Sequence, residues 1–490
     1  MLGVTGVASA DSLPLCLESA TEIRRRLWAR EVSVLEMTQA HLAMIERCNP
    51  TINAIVTLVA EQALESARGA DRALHRGEPL GPLHGLLVAH KDMTETAGIR
   101  TTFGSPIFAD HVPDRDSLVV ERLRRAGAIT VGKTNVPEWG AGSNCVNPVF
   151  GATRNPYDTS LTSGGSSGGA AAALACGMVA LADGSDMGGS LRIPASFCNV
   201  VGLRPSPGRV PSWPTMLAWD PLTVQGPMAR TVADAALMLT AIAGPDDRSP
   251  ISLADPGEAF AARLERSLRG VRVAWSSDLG GLPVDPAVRR VLEAGRGVVG
   301  DLGCEVVDAE PDLTGAEQAF LTWRAWSFDA RLGAHLDAHR ELVGPNVAWN
   351  IEQGRALTGS DLAAAEQAHA AVYHRVRRFM RSHDFVLAPV AQVPPFPFTT
   401  DHPLEIAGVA MASYIDWMRS CWLISAVGLP AISVPCGFTP DGLPVGLQII
   451  GRHRDELGVL QLAHAFELAT MHWRRHPPPA GGRQGGGVAI

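Results

Sequence analysis

Residues 162–178, "TSGGSSGGAAAALACGM", and residues 182–195, "ADGSDMGGSLRIPA", hold two glycine-flanked serines, Ser166 and Ser190, 24 residues apart. The alanine run after the first serine reads as a helix, and "MVALADGSD" before the second reads as a short strand. A helix followed by a strand carries the chain out and back, so the two serines can finish close together. Gly188 and Gly189 permit backbone conformations closed to other residues, with N–H groups free to point at a substrate oxygen. Asp186 and Arg192 stand as charges in a mostly uncharged stretch.

Two familiar motifs compete here. Gly164-Gly165-Ser166-Ser167-Gly168 fits the G-x-S-x-G nucleophile elbow, which needs an apolar strand feeding the turn. The preceding "NPYDTSLTS" is instead a polar loop. An α/β-hydrolase esterase built on Ser166 would also need a late acid and histidine, for which Asp455 and His464 are candidates. Further upstream, "GAITVGKT" at 127–134 fits a phosphate-binding loop. There the four residues between the glycines read as the strand itself, and no long helix follows. Lys133 is better read as a structural or supporting lysine.

The chain has 490 residues, 46% hydrophobic and 19% charged, which is ample for a large core. A net charge of −8 gives no general pull toward nucleic acid or anionic membranes. Eight scattered cysteines with no C-x-x-C pair read as free thiols in a reducing cytosol. "MLGVTGVASADS" has no basic n-region, so no signal peptide is expected. Residues 421–438 are apolar but broken at Gly428-Leu429-Pro430, which reads as a helix end, a turn and a buried strand rather than a membrane span. Of the 42 basic residues only Lys91 and Lys133 are lysines. Arginine keeps its proton, whereas a buried lysine can act as a base, so both positions become candidates.

Capping-box patterns at Ser19–Glu22 and Ser33–Glu36 open helices. Strand-like runs such as "LHGLLVAHKDM", "FVLAPVA", "AISVPCGF" and "PVGLQIIG" then alternate with helical stretches. This alternation predicts the α/β class with a largely buried sheet and no dividing linker. The tail from residue 476 reads as disordered.

The stretch 164–211 resembles the signature region of the amidase signature family of serine hydrolases. "PLHGLLVAHKDM" resembles the lysine strand of that family, and "AGAITVGKTNVPEWG", "QGPMARTVADAALML" and "ISAVGLPAISVPCGF" extend the likeness. The resemblance covers residues 20–245 well and leaves 250–410 generic. It implies one large domain over residues 1–475, with a signature core at about 80–245 and a more variable helical pocket region at about 250–410. The expected architecture is a central mixed, mostly parallel twisted sheet covered by helices on both faces.

The resemblance also implies a Ser–Ser–Lys triad. Ser190 would be the nucleophile, Ser166 the bridging serine on a cis peptide bond, and Lys91 the base. Ser167 would assist, with Asp186 and Arg192 supporting. Backbone N–H groups from Met187, Gly188, Gly189 and Ser190 would form the oxyanion hole. Met187 stands where many members have threonine, which bears on pocket shape more than on catalysis. No metal or organic cofactor is implied. His335 and His339, spaced i, i+4, read as surface residues without an H-E-x-x-H pattern.

The segments at 210–222, 320–332 and 414–423 are rich in Trp, Leu and Met and are candidates for an apolar or aryl pocket. The implied substrate is a small amide or carbamate, as for broad-specificity acylamidases, with a cytoplasmic monomer or homodimer expected. The glutamine-hydrolysing subunit of a tRNA amidotransferase is the main alternative.

Overall fold

A computed structural model describes residues 15–478. The expectations for the N-terminal dozen residues, and for the tail beyond 478, lie outside the described residues. The helix Val34–Ile52 starts on the full capping box of Ser33 and Glu36. Ser19 caps Ala20–Trp28 from one side only: it accepts the Glu22 N–H, while the Glu22 carboxylate turns to Arg25 and Arg26.

Eleven strands form one sheet. In chain order they are β1 (Ile55–Leu58), β2 (Leu87–Lys91), β3 (Ile129–Thr134), β4 (Leu181–Asp186), β5 (Val201–Arg204) and β6 (Val224–Ala229). They continue as β7 (Arg272–Trp275), β8 (Glu305–Asp308), β9 (Phe385–Pro389), β10 (Ala431–Phe438) and β11 (Pro444–Ile450). The spatial order is β1-β3-β2-β4-β6-β5-β10-β11-β9-β7-β8.

The sheet is mixed, as expected, but it is not mostly parallel. Only β3–β2, β2–β4, β9–β7 and β7–β8 pair parallel. The other six neighbours run antiparallel. Three of those six pairs involve β5 and β6, "VGLR" and "VQGPMA", whose glycines and proline hide them in the sequence; the other three pair strands whose direction apolar runs do not encode. β5 and β6 insert between β4 and β10 and reverse the chain direction there.

Side-chain alternation divides the core between the two faces of the sheet. Phe385 and Leu387 join one apolar cluster while Val386 and Ala388 join another, and Val273 and Ala274 divide in the same way. Helices Pro286–Asp301 and Glu456–Thr470 cover the first face. Ala316–Ala338, Gly359–Phe379 and Arg419–Val427 cover the second. The break read at 428–430 is real: Gly428 ends the last of these helices in a left-handed conformation, and β10 follows. Among the described residues no helix is long and apolar enough to cross a membrane.

The pair β2–β4 positions the site. The two strands run parallel, with Ala89 opposite Ala182, so Lys91 and Asp186 close them at the same edge. The alanine helix Gly168–Ala175 is buried on every side and packs onto these strands. Small side chains are required there: a Cβ on Gly169 would come 2.3 Å from the Asn135 backbone nitrogen.

Gly169→Ala is therefore expected to destabilise by about 1–3 kcal/mol or more, because neither backbone segment can yield. Gly297→Ala, exposed on a helix with nothing within 4 Å of the added methyl, should instead stabilise by about 0.5–1 kcal/mol. Thermal melts of the two variants check the contrast.

Candidate active site

Lys91 ends β2 fully buried. Its Nζ donates to Ser166 Oγ at 2.7 Å and to Ser185 Oγ at 3.0 Å. No carboxylate among the described residues pairs with it. Burial pulls its ammonium down from an ordinary 10.5 to about 7, against weaker support from Cys145, Asp186 and Asp183. The lysine therefore sits ready to exchange a proton with two hydroxyls near neutral pH.

Ser166 lies in the loop before the alanine helix, and the Gly165–Ser166 peptide bond is cis. No strand feeds this turn, so the nucleophile-elbow geometry is absent here. Ser167 N–H donates to the Ser190 carbonyl at 3.2 Å, tying the two serine sites together. Ser166, Ser185 and Ser190 line one narrow cleft with Met187 and Gly188. The Ser190 and Ser166 hydroxyls share this cleft without a direct hydrogen bond between them.

Asp186 organises the loop that presents Ser190. It accepts the N–H groups of Gly189 at 2.9 Å and Leu191 at 3.2 Å. Arg192 grips both of its oxygens, at 3.0 and 2.9 Å, and Arg204 adds a third contact. Burial pushes the Asp186 carboxyl up, but the two guanidiniums outweigh it and hold it well below the usual range. Arg192 also reaches Gln448 Oε1 at 2.6 Å, Ser425 Oγ at 2.7 Å and the Cys421 carbonyl at 3.0 Å. The loop is thereby fastened to β11 and the helix Arg419–Val427.

With the Gly189 N–H given to Asp186, those of Met187, Gly188 and Ser190 have no protein acceptor among the described residues. Gly189 itself has φ +121°, and a Cβ there would meet Cys421 at 2.7 Å. Its contribution is to the loop's shape rather than to the free donors.

Several neighbours escaped the sequence reading. Ser185 is one, because its approach to Lys91 depends on strand pairing that a single sequence does not reveal. The pocket segments fared better. From 320–332 and 414–423, Phe320, Arg324, Phe328, Arg331, Tyr414 and Met418 line the cleft. From 210–222, Met216, Trp219 and Leu222 line an adjoining apolar cavity of about 900 Å³, with Phe320 as a shared wall. Lys133 sits apart from the cleft. It donates to the Thr94 carbonyl, Thr96 Oγ1 and Thr101 Oγ1, and so knits together the loop after β2. His335 stacks on Trp139 rather than standing free. Among the described residues no group of three or more His, Cys, Asp or Glu is placed to hold a metal.

The Amidase family model matches residues 36–460. The chain belongs to the amidase signature family. It is 36% identical over 468 residues to an acylamidase from Rhodococcus erythropolis, covering 94% of this chain and 97% of that protein. It is 37% identical over 485 residues to a glutamyl-tRNA(Gln) amidotransferase subunit from Synechococcus sp. (strain CC9605), covering 93% and 97%. Among solved structures it resembles a bacterial aryl acylamidase of the same family, with a TM-score of 0.88, 29% identity, and 94% and 99% of the two chains covered. The protein is thus an enzyme that hydrolyses amide C–N bonds.

Asp186→Asn removes the charge that two buried arginines share. A loss of about 3–5 kcal/mol is expected, as for a broken buried ion pair. A lowered melting temperature in calorimetry checks it. The carboxyl is depressed in the fold, so its contribution is full at neutral pH and fades as the medium becomes strongly acidic.

Proposed function

We propose that this amidase is an acylamidase cleaving amide, anilide and carbamate bonds through Ser190, Ser166 and Lys91. The observation that carries the reading is a dry, unpaired Lys91 2.7 Å from Ser166, with Ser190 in the same cleft. A serine hydroxyl attacks only when its proton is taken, and neutral Lys91 is the one base at hand.

Ser190 Oγ attacks the substrate carbonyl carbon. Its proton passes to Ser166 Oγ, whose own proton passes to Lys91 Nζ. The Ser190–Ser166 contact closes when substrate is in place, as catalytic hydrogen bonds commonly do. The N–H groups of Met187, Gly188 and Ser190 receive the developing oxyanion, each worth on the order of 3 kcal/mol. As the tetrahedral adduct collapses, the C–N bond breaks and the proton returns along the relay to the leaving nitrogen. Water, deprotonated along the same relay, then attacks the acyl-Ser190 ester; the bond between the acyl carbon and Ser190 Oγ breaks, the relay returns the proton to Oγ, and the acid leaves. No cofactor is needed in this scheme.

The large apolar cavity beyond Phe320 supports acyl or aryl groups of some size, since the cleft at Ser190 is narrow. The similarity to an acylamidase supports the same reading. Eight cysteines left unpaired accord with a reducing, cytoplasmic setting. Similarity to amidotransferase subunits keeps glutamine as the comparison substrate.

Lys91→Arg is expected to fold normally yet lose at least about 1,000-fold in kcat/KM on a 4-nitroanilide, because arginine accepts no proton. Lys133→Arg should lose far less. Near-normal turnover by Lys91→Arg contradicts the relay. In the same assay a carbamate chromogen should also be cleaved, and ammonia release from glutamine should be slight. Release from glutamine alone, dependent on an added partner, would favour the amidotransferase role instead.

A further inference from the structure

The cleft at Ser190 has an unusual charge. Arg324 and Arg331 both line it, and no aspartate or glutamate does. Neither guanidinium forms an ion pair among the described residues. The acids on their own helix, Ala316–Ala338, are already taken. Asp329 and Asp337 pair with Arg355, and Glu317 pairs with Arg419. Asp220 faces Arg331 electrostatically but lies beyond ion-pair distance, and it accepts the Leu222 N–H instead.

Arg324 is only 6% exposed. Its acceptors are uncharged: the Met187 thioether sulfur at 3.3 Å and the Tyr414 hydroxyl. Its Nε–H is buried with no partner. Tyr414 Oη also accepts from Asn350 Nδ2 at 2.8 Å, so its own proton is left to point elsewhere. Both arginines pack on the Phe328 ring, at 4.6 and 5.8 Å from its centroid, which brings the two cations to one place.

Other buried arginines among the described residues are not left this way. Arg192 and Arg204 share Asp186, Arg209 pairs with Glu456, and Arg122 is saturated by carbonyls. A buried guanidinium with neither carboxylate nor carbonyl, as at Arg324, is costly unless a ligand supplies the charge.

We propose that the amides this enzyme prefers carry a carboxylate, held by Arg324 and Arg331 with the Tyr414 hydroxyl, beside the bond that Ser190 attacks. Arginine's planar fork matches a carboxylate in two-point contact. The proposal rests on the amidase reading above and narrows its substrate class from apolar amides in general to anionic ones. The apolar cavity beyond Phe320 then takes the uncharged end.

The test compares matched pairs at pH 8. One pair is glutaryl against valeryl 4-nitroanilide, with the charge on the acyl side. The other is 4-(valerylamino)benzoate against its methyl ester, with the charge on the amine side. In the wild type the charged member of one pair should exceed its neutral mate at least tenfold in kcat/KM. Arg324→Gln and Arg331→Gln should each cut that ratio at least tenfold, with Arg324→Lys falling between. A ratio of one or less in both pairs overturns the proposal, as does a ratio that the variants leave unmoved.

Calorimetric titration with glutarate gives a readout independent of turnover. Binding should weaken at least tenfold in both glutamine variants, and equal binding counts against the proposal. Labelling of Ser190 by a fluorophosphonate separates the two levels. An unlabelled Ser190 contradicts the catalytic reading, while glutarate binding still decides the carboxylate site.

Discussion

A single desolvated amine governs this structure. Lys91 is fully buried, and the partners of its nitrogen are two serine hydroxyls instead of a carboxylate. A carboxylate paired directly with the amine would hold the proton on it, and none is paired with it among the described residues. Much of the surrounding architecture keeps that environment dry and uncharged. The alanine helix is buried on every side, its small residues letting neighbouring backbone approach closely, and two parallel strands deliver the lysine and the Ser190 loop to the same edge. Of the two buried carboxylates nearby, Asp186 is neutralised by Arg192 and Arg204 while it shapes that loop, and Asp183 is held by His90 and Thr94.

Most of the fold was legible in the sequence because its main signals are local. Capping residues, helix periodicity and apolar strand runs placed most of the helices and nine of the eleven sheet strands. Strand direction was not legible. β5 and β6 carry too few apolar residues in a row to announce themselves, and the antiparallel pairings, three of which involve them, depend on partners distant in sequence.

The site divides in the same way. Ser166, Ser190 and Lys91 stood out from glycine flanking and from lysine scarcity; the two serines line one cleft, with Lys91 buried 2.7 Å behind Ser166. Ser185 stayed hidden because pairing between distant strands brings it to Lys91. Gly189 lay within the proposed donor run, yet its N–H is spent on Asp186. The segments carrying Arg324, Arg331 and Tyr414 were legible as aromatic pocket walls. Their charge was not, because whether an arginine lacks an acid depends on where every other acid has gone.

The central claim is that Lys91 works as a neutral base at physiological pH. The pH dependence of kcat/KM on an uncharged anilide tests it most directly. Protonated Lys91 accepts nothing, so the rate should fall about tenfold per unit below a midpoint near 7 and stay level above it. A profile flat down to pH 5, or one still climbing toward the ordinary lysine value of 10.5, would contradict the account.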